Sequence, residues 1–298
     1  MAFTTINKST LHHNTKLFTG NGSTTQTITG VGFQPDWVWF KNRSTTNDHN
    51  FYDVVRGSSK RLEPNNTLVE ADIGADFTFQ SDGFYVGDRG DTNGNGNNIA
   101  TWNWKADNSA GSSNSNGSIT STVSVNTTAG FSIVKYVGTG ANATVGHGLG
   151  VAPKVVIIKS RDSSYSWRSY HASLGATKYI ELDATGAATT ASNFMNNTAP
   201  TSTVFSLGNG QTPNDSGDNY IAYCFAEKRG FSKFGQYRGN SSLMGSSHHA
   251  PFIYTGFKPT TVIIKGISAS GRDWYIWNNK NLGYNMDNNE LYPSDNSA

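Results

Sequence analysis

The run Asp91-Thr92-Asn93-Gly94-Asn95-Gly96 places side-chain oxygens at alternate positions and closes on a glycine. That is the front half of a calcium loop. A full loop supplies a bidentate carboxylate at its twelfth position, where this chain has Trp102. The corresponding later stretch, Gly208 to Asp218, lacks the alternation. A plain turn is therefore the favoured reading, with Asp91, Asn93 and Asn95 as candidate ligands if an ion does bind. Flat aromatic rings are the second candidate, because sugars stack on them. Trp167 and Trp274 both follow polar loops and are the rings best placed for a glycan platform.

Catalytic constellations are thin. Nucleophilic hydrolysis needs a Ser or Cys near a His held by a carboxylate, and there is no G-x-S-x-G elbow. His147 and His171 face Thr29 and Asp53 at the matching positions of the first half, and His12–His13 reads as a solvated bend. Acidic residues sit mainly at turns such as Asp82–Gly83, which makes a two-carboxylate glycan depolymerase the least favoured reading. The glycines of Gly138–Gly150 lead into a strand, whereas a phosphate loop must lead into a helix N-terminus. Arg89-Gly90-Asp91 is taken as coincidence. The expectation is a protein that is not an enzyme and has no cofactor.

The elements that carry these residues repeat. Gly20, Gly22, Pro35, Lys41 and Arg43 recur as Gly138, Gly140, Pro153, Lys159 and Arg161, each 118 residues later. Phe84, Gly87, Trp102 and Trp104 recur as Phe205, Gly208, Tyr223 and Phe225, 121 later, so the extra residues fall in a loop. A weaker third copy aligns Phe257, Pro259 and Lys265 with Phe33, Pro35 and Lys41, 224 apart. Short β-prone runs broken by turn signals, without helical periodicity, predict an all-β fold of tandem antiparallel β-sandwich units of jelly-roll or lectin-like type.

The expected organisation is a first unit over 1–107, a Ser/Asn/Gly-rich linker over 108–130 with an edge strand near Ser118–Val125, a second unit over 131–230 and a partial third unit over 231–298. Nothing in the third copy matches Phe77–Trp104. The natural protein is therefore expected to continue beyond Ala298, or else the partial unit docks on a neighbouring unit or chain. Trp37, Trp39, Trp102 and Trp104 have mostly Val, Ile, Tyr or Phe in the other copies, which marks them as packing residues.

Bulk properties narrow the class further. The 298 residues are 35% hydrophobic, 15% charged and 12% aromatic, a folded and loop-rich composition. A net charge of +2 without clustered Lys and Arg gives no case for nucleic acid. A lone Cys224 excludes an intrachain disulfide. There is no apolar run of membrane-spanning length and no signal-peptide pattern at the N-terminus, so neither membrane insertion nor export by that route is expected.

The pattern G-x-G, G-F-x-P-D-W-V-W-x-K-x-R, Tyr52-Asp-Val-Val-Arg-Gly57, Ser81-Asp-Gly-Phe84 and Trp102-Asn-Trp104 resembles the repeated β-domain of tail-fibre-like virion proteins from marine bacteriophages, those of cyanobacteria and uncultured phages in particular. The strings Gly148–Pro153, Tyr170–Lys178 and Ile221–Lys228 are similar to that family too. The resemblance implies a virion appendage, made in the host cytoplasm, that contacts other tail proteins and the host surface, with a surface glycan as a candidate receptor. It gives no catalytic residues to carry over. A lectin-like carbohydrate-binding module is the alternative. Multivalent attachment leads us to expect a homo-oligomer, a trimer.

Overall fold

The computed structural model describes residues 4–240, 251–281 and 289–297. The first unit contains nine strands: β1 (His13–Thr19), β2 (Gln26–Thr29), β3 (Trp37–Asn42), β4 (Asn50–Asp53), β5 (Lys60–Arg61), β6 (Ala71–Asp72), β7 (Phe77–Gln80), β8 (Gly83–Val86) and β9 (Asn98–Trp104). Two strands follow, β10 (Ser112–Asn114) and β11 (Ser121–Asn126). The second unit contributes β12 (Phe131–Val137), β13 (Ala143–Gly146), β14 (Val155–Ser160), β15 (Arg168–His171), β16 (Lys178–Glu181), β17 (Thr189–Thr190), β18 (Val204–Leu207) and β19 (Asn219–Phe225). The third unit contributes the hairpin of β20 (Thr261–Lys265) and β21 (Trp274–Asn278).

The repeat holds at the level of hydrogen-bond register. The first unit has a sheet ordered β1-β9-β3-β4, and the second has β12-β19-β14-β15 within a larger sheet. Trp37 pairs with both Trp104 and Asp53, and Val155, 118 residues later, pairs with Phe225 and His171. In the third unit Thr261 pairs with Asn278, as Trp37 pairs with Asp53. Thus β20 and β21 are the counterparts of β3 and β4. Lys41, Lys159 and Lys265 occupy the same fifth position of their strands.

Residues 108–130 are not a free linker. β11 adds to β12, and β10 to β11, extending the second unit's sheet by two strands and leaving β10 at its edge. The strand expected near Ser118–Val125 is β11, which lies between β10 and β12 and sends Val123 into the second interior, whereas the outermost β10 escaped notice because an edge strand needs backbone partners more than side-chain burial.

Each full unit is a sandwich. A smaller sheet, β2-β8-β7 in the first unit and β13-β18 in the second, covers one face of the larger sheet. Val38 and Phe40 meet Ile28, Phe77 and Phe84 in the first interior. Val156 and Ile158 meet Val145, Phe205 and Leu207 in the second. The opposite faces of the two large sheets turn towards each other. Trp37, Trp39, Trp102, Ile133, Ile221 and Tyr223 pack in a third interior, to which the third unit contributes Ile276 and Leu291. The Trp37 ring stacks on Tyr223 at 4.4 Å between centroids and on Trp104 at 4.3 Å. Burial of these tryptophans, expected from their apolar counterparts, holds for Trp37, Trp39 and Trp102, while Trp104 is half-buried.

Candidate functional site

The most specific polar geometry lies between the units. Lys41, Lys159 and Lys265 point along equivalent paths into small cups of backbone carbonyls. The Lys159 ammonium donates to Ser163 O (3.0 Å) and Tyr165 O (2.8 Å) of its own loop and to Thr67 O (3.1 Å) of the first unit. Lys41 donates to Asn47 O (2.8 Å) of its own loop and to Asn296 O (2.9 Å) of the third unit. Lys265 donates to Arg272 O of its own loop and to Ala184 O (3.1 Å) of the second. Each unit thus grips another: the first holds the third, the second holds the first, and the third holds the second. The ring closes.

A second set of contacts follows the same cycle. Beside each lysine, one residue before or at the start of the neighbouring strand, stands a ring with an N–H: His49, Trp167 and Trp274. Trp167 donates through Nε1 to Glu63 O of the first unit (2.9 Å), and Trp274 to Glu181 O of the second (2.8 Å). His49 lies 3.1 Å from Tyr292 O of the third through Nε2, and its Nδ1 accepts the Trp39 indole N–H at 2.8 Å. An accepting Nδ1 requires the proton on Nε2, so His49 is neutral and donates to Tyr292 O. Burial, with Lys41 nearby, holds its pKa well below the usual imidazole value. Burial likewise pushes Lys41 and Lys159 down to about 8, and lowers Lys265.

This arrangement decides the glycan-platform reading of Trp167. Its side chain is 0% exposed and sits between Phe51 and Tyr223, so neither ring face can receive a sugar. The polar loop before it suggested exposure, but its place in the strand register makes it a clasp. Trp274 is half-buried, packs against the same interior and has its N–H committed.

The calcium-like loop also resolves into structural roles. The Asp91 carboxylate pairs with Arg61 and Arg89, each at 2.9 Å. Asn93 is buried. Its amide donates to Gly87 O (2.7 Å) and Ser23 O (3.0 Å), and its oxygen accepts the Asn21 N–H (2.9 Å). Asn95 is exposed. The three candidates therefore do not converge on one point. Asn214, 121 residues after Asn93, repeats the pin: it donates to Gly208 O (3.2 Å) and Ala141 O (2.5 Å) and accepts the Thr139 N–H (2.8 Å). These pins draw the β9 and β19 entry loops against the G-x-G turns. A Cβ at Gly20 would fall 2.3 Å from Gly94 O, and one at Gly138 2.1 Å from Asp215 O, which explains the repeated glycine.

A buried polar network missed from sequence links the first two units. Asp53 Oδ2 accepts Arg56 Nε (2.5 Å) and the hydroxyl of Tyr223 (2.7 Å) across the interface. Glu70 receives Arg161 through two bonds, at 2.8 and 2.6 Å. The signal was the Asp-Val-Val-Arg spacing, which sets a capping carboxylate three residues before its guanidinium.

On the surface, two shallow clefts of about 260 and 370 Å³ share Gln34 and Asn108. Phe79, Thr78 and Ser109 line one, while His12, Phe33 and Lys105 line the other. Asn108 adopts φ 62°, a left-handed conformation Asn tolerates, with its N–H on Asp36 Oδ2. A half-exposed aromatic beside side-chain amides has the polarity to hold a hydroxylated ligand.

No helix among the described residues is long and apolar enough to cross a membrane. Neither a curated protein nor a solved structure shows significant similarity to the chain. One family model matches residues 8–298, spanning all three units, and the chain belongs to that family, described as a domain of unknown function, DUF7483.

Proposed function

We propose that the chain is a structural component of a phage virion, a tail-fibre-like appendage that contributes to attachment at the host surface. The sequence resemblance supplies the class. The observation that carries the reading is the closed cycle of lysine and ring N–H clasps, because it commits buried polar groups to holding three β units as one rigid body. An appendage that transmits load needs such a body more than it needs a reactive cleft. Assembly as a homotrimer with other tail proteins, in the cytoplasm of the host, belongs to the same reading. Gold-labelled antibody against the purified protein tests it on virions that carry the gene. Label on tails is expected, and label confined to the virion-free fraction would overturn the proposal.

A lectin-like role is the second reading, favoured by the joined clefts around Gln34 and Asn108. A glycan array separates it from a pure spacer. Binding that is lost in Phe79→Ala and Gln34→Ala supports it, and an array without hits removes it.

A further inference from the structure

The three joints between units are built alike, yet only one of the ring clasps is an imidazole. Trp167 closes the second unit on the first and Trp274 closes the third on the second, each through an indole N–H that does not titrate. Between the first and third units the equivalent ring is His49. His13 of β1 bridges the same joint. Its Nδ1 lies 3.1 Å from Asn103 O, which can only accept, and its Nε2 lies 2.9 Å from Thr261 Oγ1 of the third unit. Nδ1 therefore carries the proton, and Nε2 accepts the Thr261 hydroxyl. The residue 118 places after His13 is Phe131, so the second unit does not copy this contact.

The two imidazoles differ in what a second proton does. The Thr261 hydroxyl can turn and accept from a protonated His13. His49 has no such escape, because it is 0% exposed and its Nδ1 faces the Trp39 indole N–H at 2.8 Å, a group that can only donate. An imidazolium there would set two N–H groups head to head. We propose that the joint between the first and third units is an acid-operated hinge: protonation of His49 and His13 releases Tyr292 and Thr261, and the third unit swings away from the first while staying clasped to the second. The charged groups around His49 are Lys41 and Asp48 of the first unit and Asp295 of the third, with Glu290 held by the Tyr292 hydroxyl at 2.7 Å. Hydrogen bonds from Ser297 keep Asp295 below the usual carboxylate value, so it stays ionised opposite Lys41. His13 faces the Trp104 ring, 4.6 Å away between centroids.

Burial lowers His13 to about 4 and, with Lys41 nearby, holds His49 well below the usual imidazole value. Freed from the joint, each returns to about 6.5. The closed form thus binds fewer protons than the open one. Closure is complete above about pH 7 and weakens as pH falls, by about tenfold per pH unit for each histidine. Beside Trp167 the sign is opposite. Asp183 accepts the Trp167 backbone N–H at 2.9 Å and is raised to about 6, so acid favours that joint. His12 lies 3.1 Å from the Asn126 amide of β11, but it is only partly buried and solvent can receive its new N–H.

Spin labels on the full chain test the hinge. Asn95→Cys with Ser270→Cys places exposed labels on the first and third units, and Asn95→Cys with Ser173→Cys places them on the first and second. Electron–electron distances are read from about pH 7.5 down to about pH 4.5. The first–third pair is expected to pass from one narrow distance to a broad distribution, the open-to-closed ratio rising at least about tenfold per pH unit. The first–second pair is expected to stay narrow throughout. His49→Gln, whose amide cannot titrate, should reduce the slope by about tenfold per unit, and the double variant with His13→Gln should not respond to pH. An unchanged first–third distance in the unsubstituted background overturns the proposal, and that titration decides even if the double variant is already open at neutral pH. Simultaneous broadening of both pairs, or a closed double variant that still opens in acid, overturns it equally.

Discussion

Replacing Trp39 by Ala should loosen all three units at once. The side chain is buried, and its ring meets Phe51 at 4.8 Å and Trp102 at 5.7 Å, both edge to face. Its indole N–H supplies the one bond that satisfies His49 Nδ1. Truncating a buried Trp costs about 3–5 kcal/mol in lost transfer energy and residual cavity. Leaving a buried acceptor without its donor adds about 1–3 kcal/mol. The total, about 4–8 kcal/mol, is comparable with the whole stability of a typical domain. Trp39→Phe keeps most of the ring and should lose chiefly the hydrogen bond, about 1–3 kcal/mol. Denaturant melts give the magnitudes, and hydrogen exchange gives their reach. Because the interior is shared, Trp39→Ala should raise exchange at Asn219–Phe225 and Thr261–Lys265 as well as at Trp37–Asn42. If the first unit melts alone while Asn219–Phe225 keeps its original protection, the shared-interior reasoning is wrong.

Other expectations follow from the same contacts. Asn214→Ala should destabilise by about 1–3 kcal/mol, since it strips a partner from buried Gly208 O, and Asn93→Ala, which does the same to Gly87 O, should behave alike; a loss below about 0.5 kcal/mol in melts would refute the pin role. Burial raises Asp36 and Asp183 to about 6 in the folded chain, above the unfolded carboxylate value. Their contribution is therefore full below about pH 4 and is lost as pH rises through about 6. Asp36→Asn should flatten the decline in stability between pH 4 and 6, and an unchanged slope would count against it. The Cys224 thiol is buried and pushed up to about 12 by burial, so maleimide at pH 7 should label it only on unfolding; rapid labelling of native protein would contradict its placement.

Much of this architecture was legible in the chain because repeats expose which positions are interchangeable. Trp37 and Trp39 align with Val155 and Ile157, and that exchange for aliphatic side chains marks them as packing positions. The stacking of the two units was also visible in principle. β3 reads Trp-Val-Trp-Phe, apolar on both faces, and all six of its residues are buried. A strand covered on both sides must be a middle layer, whereas a two-layer sandwich would have left one face polar. The clasps were harder to see. Trp167 aligns with His49, and only their shared ring N–H makes them equivalent; a hydrophobicity comparison treats them as unrelated. Asn93 was legible through Asn214 rather than through the calcium pattern, whose alternating oxygens are cheap in a chain rich in Asn and Gly. The edge strand β10 carries almost no side-chain signal, because backbone pairing holds it, while β11 was legible through Val123 and Val125.

The closed cycle also sets a timetable for synthesis. Lys41 and His49 find their third-unit partners, Asn296 O and Tyr292 O, 255 and 243 residues further along the chain. At about 5–20 residues per second of translation, the first unit waits roughly 12–50 s with a buried cation and a buried imidazole incompletely partnered. Ribosome-bound chains should accordingly hold their N-terminal third in a loosened, protease-sensitive state. A chain interrupted before Tyr292 would lack both partners, so the segment from Tyr292 to Asn296 is what completes the clasps of the first unit.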